Sequence, residues 1–220
     1  MVKINSQTTD SIFDRASDKA YAQLRKLIIA LELEPGAVLV EGALVEQLGC
    51  GRTPLREAIQ RLTEDDLVVA LPRRAVSVAD ITVLALQQLY EARWELEPAL
   101  GRLASDRITP DQLDALEQLL ATRPLDASPS SYDLTEWDMA FHHAIARAAE
   151  NRYLLMAFER LQGVAQRLLV FAYRRGAFVP PTLDEHREIL AALRARDGER
   201  TGRRLGEHIR NAKDRILRTL

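Results

Sequence analysis

The sequence predicts a mainly α-helical chain in two parts. Three helices and a β-hairpin occupy residues 1–79, and an all-α bundle of about six helices occupies residues 80–220. Three observations predict this. Apolar residues recur at helical spacing along most of the chain. The one change of period, to short β-branched runs, falls between residues 68 and 78. Beyond it, turn-forming residues cut an otherwise helical pattern at five places.

In order, Tyr21, Leu24, Ile28 and Leu31 mark the first helix, with Pro35-Gly36 expected to end it. A short helix runs from about Glu41 to Leu48 and stops at Gly49. The third is expected to start with Thr53 as N-cap and Pro54 at its first position, the place that best tolerates a missing N–H. Leu55, Ala58, Ile59 and Leu62 form its apolar face. Val68 to Leu71 and Ala75 to Val78, joined by Pro72-Arg73-Arg74, read as a hairpin. From Ile81 the helices are expected near 81–106, 110–122, 132–149, 151–173, 181–195 and 199–219, with no strand, internal repeat or low-complexity segment.

A chain of 220 residues has room for two compact domains, and 47% hydrophobic with 28% charged residues is ordinary for a globular protein. No apolar run approaches the roughly 20 residues that span a bilayer. The polar N-terminus lacks the pattern of a secretory signal. The single cysteine, Cys50, excludes an intrachain disulfide and suits a reducing compartment, so a cytoplasmic protein without membrane contact is expected. The net charge of −2 argues against a general affinity for polyanions. Any nucleic-acid contact has to come from positive charge concentrated on one element.

The third helix supplies such an element. On a helical wheel its apolar face is opposed by Thr53, Arg56, Glu57 and Gln60, with Arg52 just ahead. A short helix, a tight turn at Gly49 and a helix exposing Arg, Thr and Gln at its N-terminal end follow helix-turn-helix logic. In that motif, arginine can pair with guanine edges in the major groove. Arg73 and Arg74 at the hairpin tip are placed for the minor groove or the backbone. The candidate DNA-contacting set is therefore Arg52, Thr53, Arg56, Gln60, Arg73 and Arg74. Taken singly, each arginine is as readily a solvated surface residue.

Residues 20–78 resemble the GntR family of winged-helix repressors. The resemblance rests on Tyr21, Leu24-Arg25, Pro35-Gly36, Leu48-Gly49, the Arg52-Thr53-Pro54-x-Arg56-Glu57-Ala58 core, Arg61-Leu62 and Pro72-Arg73-Arg74. It implies a winged helix-turn-helix that binds duplex DNA. The sequence departs from the family at Gly42, Gly51, Asp66 and Ala75, which bears on the operator read rather than on the function. Cys50 stands where the family has valine and is expected to be a small core residue.

In the second part, polar residues intrude on apolar faces. Leu134, Trp137, Phe141, Ile145 and Ala148 define a stripe bordered by Asp138 and His142, one turn apart, while His143 points away. His186 lies within the stripe of Leu183, Ile189, Leu190 and Leu193, and His208 borders that of Leu205, Ile209, Ala212 and Ile216. Burying such groups costs several kcal/mol unless they satisfy one another. Three imidazoles with one carboxylate suit a divalent transition metal: Zn, Ni, Mn or Fe. A lone histidine on an apolar face is more often hydrogen-bonded core, but three of the four histidines here share that placement. Arg93, inside the stripe of Leu89, Leu96 and Leu100, calls for a planar anion. That anion is either an internal partner such as Glu97 or Asp138, or a bound carboxylate.

This half resembles the FCD domain, the helical effector domain joined to GntR heads in the FadR-type branch, in its shorter VanR-like form. The matching residues are Arg93 with Glu97, Asp138-x-x-Phe141-His142, Asn151, Glu185-His186-Arg187 with Ile189, and His208. The resemblance implies that Asp138, His142, His186 and His208 hold the metal and that Arg93 and Asn151 belong to the effector site. The expectation is a homodimeric repressor on an inverted-repeat operator, controlled by a small organic acid bound near the metal. A metal-dependent hydrolase or lyase is the rival, but it would leave no general base once all four ligands hold the ion. A purely structural metal is the third reading.

Overall fold

A computed structural model describes residues 6–70, 75–122, 130–176 and 182–219. The chain divides into two compact units, Met1–Asp80 and Ile81–Leu220.

In the first unit, α1 (Ser6–Ile29), α2 (Glu41–Leu48) and α3 (Arg52–Glu64) precede β1 (Val68–Val69) and β2 (Ser77–Val78). Leu24, Ile28, Leu44, Leu55, Ala58, Leu62 and Leu67 are buried, so the stripes seen in the sequence are the faces that form this core. Gly49 ends α2 in the left-handed region at φ 59°, as its sequence position requires.

Four local expectations need correction. The first concerns the end of α1. Leu31 is past the helix at φ 56°, and Glu32 and Leu33 both donate their N–H to Leu27 O, closing the helix before Pro35. Gly36, at φ 79°, instead donates to Val78 O at 3.0 Å and ties this turn to β2. The second concerns α3, which is capped by Gly51, so Thr53 lies within the first turn rather than at the N-cap. Pro54 is tolerated there because first-turn N–H groups have no intrahelical acceptor. The third concerns the hairpin, whose paired residues among those described are Val68 with Val78 and Val69 with Ser77. Val76 O instead accepts from Leu39 N at 2.8 Å, and Ser77 also bridges Val38. Fourth, Cys50 is half-buried rather than core. Asp66, at a glycine position of the resemblance, adopts φ 57°, which aspartate tolerates better than most residues.

The second unit contains α4 (Val83–Arg107), α5 (Pro110–Ala121), α6 (Ser131–Ala148), α7 (Arg152–Arg174), α8 (Thr182–Arg194) and α9 (Gly198–Leu217). Side chains of Thr82, Thr109, Ser130, Asn151 and Asp197 cap α4, α5, α6, α7 and α9. At α5 the cap is a full capping box with Gln112, followed by Pro110 in the first turn. Helices α4 and α9 approach closely because Gly101 and Gly202 lack side chains: a Cβ on Gly101 would collide with Leu205, and one on Gly202 would meet Pro98 O at 3.0 Å.

Two apolar clusters fill this unit. One gathers Leu100, Trp137, Phe141, Ile145, Ile189, Leu193 and Leu205; the other gathers Leu86, Tyr90, Met139, Leu168, Ile209 and Ile216. Helices α4, α6, α7 and α9 contribute to both. Along α4, Arg93 and Glu97 fall between Tyr90 of one cluster and Leu100 of the other, and along α9 His208 falls between Leu205 and Ile209. No described helix is long and apolar enough to cross a membrane.

Candidate functional site

Asp138, His142, His186 and His208 are all buried, and each offers one ligand atom within 4.8 Å of the others. They come from three helices: Asp138 and His142 from α6, His186 from α8 and His208 from α9. The i, i+4 spacing puts the first two on one face of α6. His186 Nε2 lies 3.3 Å from Asp138 Oδ1, and its ring stacks on Phe141 at 4.3 Å. The fourth histidine, His143, is outside the group and bonds Glu159 at 3.0 Å.

Two carboxylates orient the imidazoles. Glu97 Oε2 meets His142 Nδ1 at 2.6 Å, and Glu185 Oε2 meets His208 Nδ1 at 2.7 Å. Burial alone would raise the Glu97 carboxyl, but Arg93 and His142 outweigh it and hold the group down at about 2. Burial likewise opposes, and bonds from His208 and Arg215 overcome it, to leave Glu185 at about 2. Both carboxylates are ionised near neutrality and can only accept, so the Nδ1 atoms carry the protons. In their neutral forms both histidines then present a bare Nε2, and these two atoms face each other at 3.1 Å. Protonating His208 is disfavoured: burial pushes it below the usual histidine range, the bond to Glu185 opposes this, and charge at His142 pushes it down further. A cation between the rings would resolve the conflict. Nitrogen ligands about 2.0–2.1 Å from one zinc ion stand roughly 3 Å apart, so the donor set fits a divalent transition metal.

Arg93 and Glu97 are 3% exposed, and Arg93 Nε donates to Glu97 Oε1 at 2.6 Å. The internal partner weighed in the sequence is therefore present, and it engages Nε of the guanidinium. Burial works against the charge on Arg93, but Glu97 keeps the net shift upward. Glu97 thus serves Arg93 with one oxygen and His142 with the other. Asn151, expected in the effector site, caps α7: its Oδ1 accepts from the N–H groups of Tyr153 and Leu154, each at 3.2 Å.

Sequence reasoning paired Glu97 with Arg93 but missed its second bond to His142. It quoted Glu185 without giving it a role, and Glu185 also accepts from Asn211 and Arg215 at 2.8 and 3.1 Å. The available signal was a carboxylate beside His186 and another one turn from a buried arginine. Gln166 and Arg167 of α7, both buried, were not singled out at all.

On the first unit, Arg52, Thr53, Arg56, Glu57 and Gln60 are exposed on α3, opposite its buried face. Arg56 is not extended freely: its Nε and Nη2 fork onto Glu41 of α2 at 3.0–3.1 Å. Arg73 and Arg74 lie outside the described residues.

Comparison with known proteins accords with this layout. Residues 16–78 match the bacterial regulatory proteins of the gntR family, and residues 88–211 match the FCD domain. The HTH-type transcriptional repressor GlaR of Escherichia coli is 30% identical, across 86% of this chain and 90% of that protein. The gluconate operon transcriptional repressor of Bacillus licheniformis is 26% identical, across 80% and 74%. The solved structure of E. coli McbR/YncC superposes with a TM-score of 0.76 at 25% identity, across 92% of this chain and 97% of that one. These relatives regulate transcription and are not enzymes, which removes the hydrolase reading. The chain belongs to the GntR family of bacterial transcriptional regulators, in the branch that carries an FCD domain.

Proposed function

We propose that this regulator is a repressor whose hold on DNA is set by a small carboxylate bound beside a divalent transition metal ion. The ion, zinc, nickel, manganese or iron, is held by Asp138, His142, His186 and His208. One observation carries the reading: two buried imidazoles, each with Nδ1 fixed by an ionised glutamate, aim Nε2 at each other across 3.1 Å. When bound, the ion supplies positive charge that attracts a carboxylate.

Arg93 gives the acid a second anchor. Its bond to Glu97 runs from Nε, which leaves the two terminal nitrogens for the planar anion. Asn151 uses its oxygen for the α7 cap, so its amide nitrogen is the part left for an effector. The gluconate operon repressor among the relatives supports an organic acid, since gluconate is a carboxylate.

On DNA, Arg52, Thr53, Arg56 and Gln60 are assigned to the major groove, and Arg73 and Arg74 to the minor groove or backbone. A homodimer would read an inverted repeat, because twofold symmetry in the protein asks for it in the site. Only four residues separate β2 from α4, a short covalent path between the sensing and reading parts. The acid shifts operator binding only to the extent that it binds one state of the regulator better than the other.

The test is selection of bound sequences from random duplex DNA, followed by operator titration with and without zinc and a panel of short carboxylates. The expected result is a palindromic motif whose affinity changes with acid in the wild type and not in Arg93→Ala, with basal binding preserved. An Arg93→Ala variant that responds normally refutes the carboxylate anchor.

A further inference from the structure

Tyr90 lies on α4 one turn before Arg93 and is 1% exposed. It packs with Leu86, Met139, Leu168 and Ile209, an apolar setting that needs no hydroxyl. Yet its Oη is buried and has no hydrogen-bond partner among the described residues. An unmet buried hydroxyl carries a desolvation penalty that folded proteins seldom leave uncompensated.

The position of that hydroxyl narrows what could meet it. The Arg93 guanidinium carbon lies 5.1 Å from the Tyr90 ring centre. Arg93, Asp138, Glu97 and Arg215 all act electrostatically on the phenol, so it belongs to the same buried neighbourhood as the ligand cluster. Burial raises its pKa to about 12, with the Arg93 charge opposing, and the group stays a neutral donor. A carboxylate gripped in the plane of the Arg93 fork has both oxygens engaged. Tyr90 is then left for a separate oxygen on the same small molecule.

We propose that Tyr90 is a specificity-determining residue of the effector site. Its hydroxyl hydrogen-bonds a hydroxyl or keto oxygen of the ligand and selects hydroxy- and ketocarboxylates over the matching acids that lack that oxygen. The assignment rests on the reading of this site as a carboxylate receptor. It adds to that reading the chemical class of the acid.

The experiment is calorimetric titration of the zinc-loaded full chain with two matched pairs, lactate against propionate and malate against succinate. Within each pair the acids differ by a single hydroxyl. The wild type is expected to bind the hydroxylated member about tenfold more tightly. Tyr90→Phe, which keeps the ring and the packing, should bring the members of each pair within about twofold, with zinc content unchanged. A Tyr90→Phe variant that keeps the preference, or a wild type that shows none, overturns the role of Tyr90 while carboxylate sensing stands. Failure of all four acids to bind the wild type overturns the carboxylate reading itself, and the Tyr90 assignment with it.

Discussion

His142 and His208 meet Nε2 to Nε2 at 3.1 Å, each held from behind by an ionised glutamate. Two such lone pairs repel unless something positive lies between them. On the proposed reading, an ion held by this group should contribute to stability as well as to sensing. Removal of metal by a chelator is expected to lower the melting temperature by roughly 5–10 °C, the effect of an ion present at about a hundred times its dissociation constant. His186→Ala should purify with little bound metal and melt near the chelated wild type. Full metal content in that variant, measured by plasma mass spectrometry, would remove His186 from the ligand set.

Glu97→Gln tests the shared carboxylate. The substitution strips the buried Arg93 guanidinium of its counter-charge and replaces the acceptor that fixes the His142 tautomer. It should cost about 3 kcal/mol in urea unfolding and weaken metal binding about tenfold or more. Unchanged metal affinity in a chelator-dye competition would show that His142 keeps its orientation without Glu97.

The fork between Arg56 and Glu41 predicts opposite effects at the two positions. Arg56→Ala should weaken operator binding roughly tenfold or more if the arginine reads a base. Glu41→Ala frees the guanidinium and removes a negative charge, so it should strengthen non-specific DNA binding. Electrophoretic mobility shifts with specific and scrambled duplexes measure both. Equal affinity of Arg56→Ala and wild type for the operator would rule out base reading by Arg56.

Gly101→Ala tests the close approach of α4 and α9. A methyl group there runs into Leu205 and presses Thr201. Overpacking of this kind costs about 1–3 kcal/mol. A variant with unaltered urea stability would show that Leu205 can move aside freely.

Tyr21 donates to Asp65 Oδ2 at 2.5 Å, linking α1 to the end of α3. Burial and this bond raise its pKa to about 12. The folded state thus holds the phenol proton more tightly than the unfolded chain does. The stability it contributes is complete below about pH 10 and is lost as the pH rises through about 12. Tyr21→Phe should flatten that part of the alkaline stability profile. An identical profile in wild type and variant would show that other groups govern it.

How much of this was legible in the sequence depends on the type of signal. The helices were readable because each carries an apolar stripe and a chemically distinct stop, such as Gly49 or Thr109-Pro110. The ends misread were those set by long-range bonds. Nothing local in Leu31 or Pro35 announces that Gly36 and Leu39 will be tied to residues near β2. The grouping of Asp138, His142, His186 and His208 was readable because polar residues on apolar faces demand partners. The bridging use of Glu97 was not, since the sequence shows its i, i+4 relation to Arg93 but not the approach of α6 that brings His142 to its other oxygen. Tyr90 was hidden for the opposite reason: on a stripe, tyrosine reads as apolar filling, and only coordinates reveal an idle hydroxyl.

The single carboxylate divided between Arg93 and His142 has a thermodynamic consequence. On the proposed reading, an acid that draws on the guanidinium would change how firmly Glu97 backs the imidazole, and acid and ion would then alter each other's affinity by the same factor. A regulator wired this way responds to coincidence. Its transcriptional output would follow the acid only in cells replete with the metal, which makes ion supply a second, silent input to the same promoter.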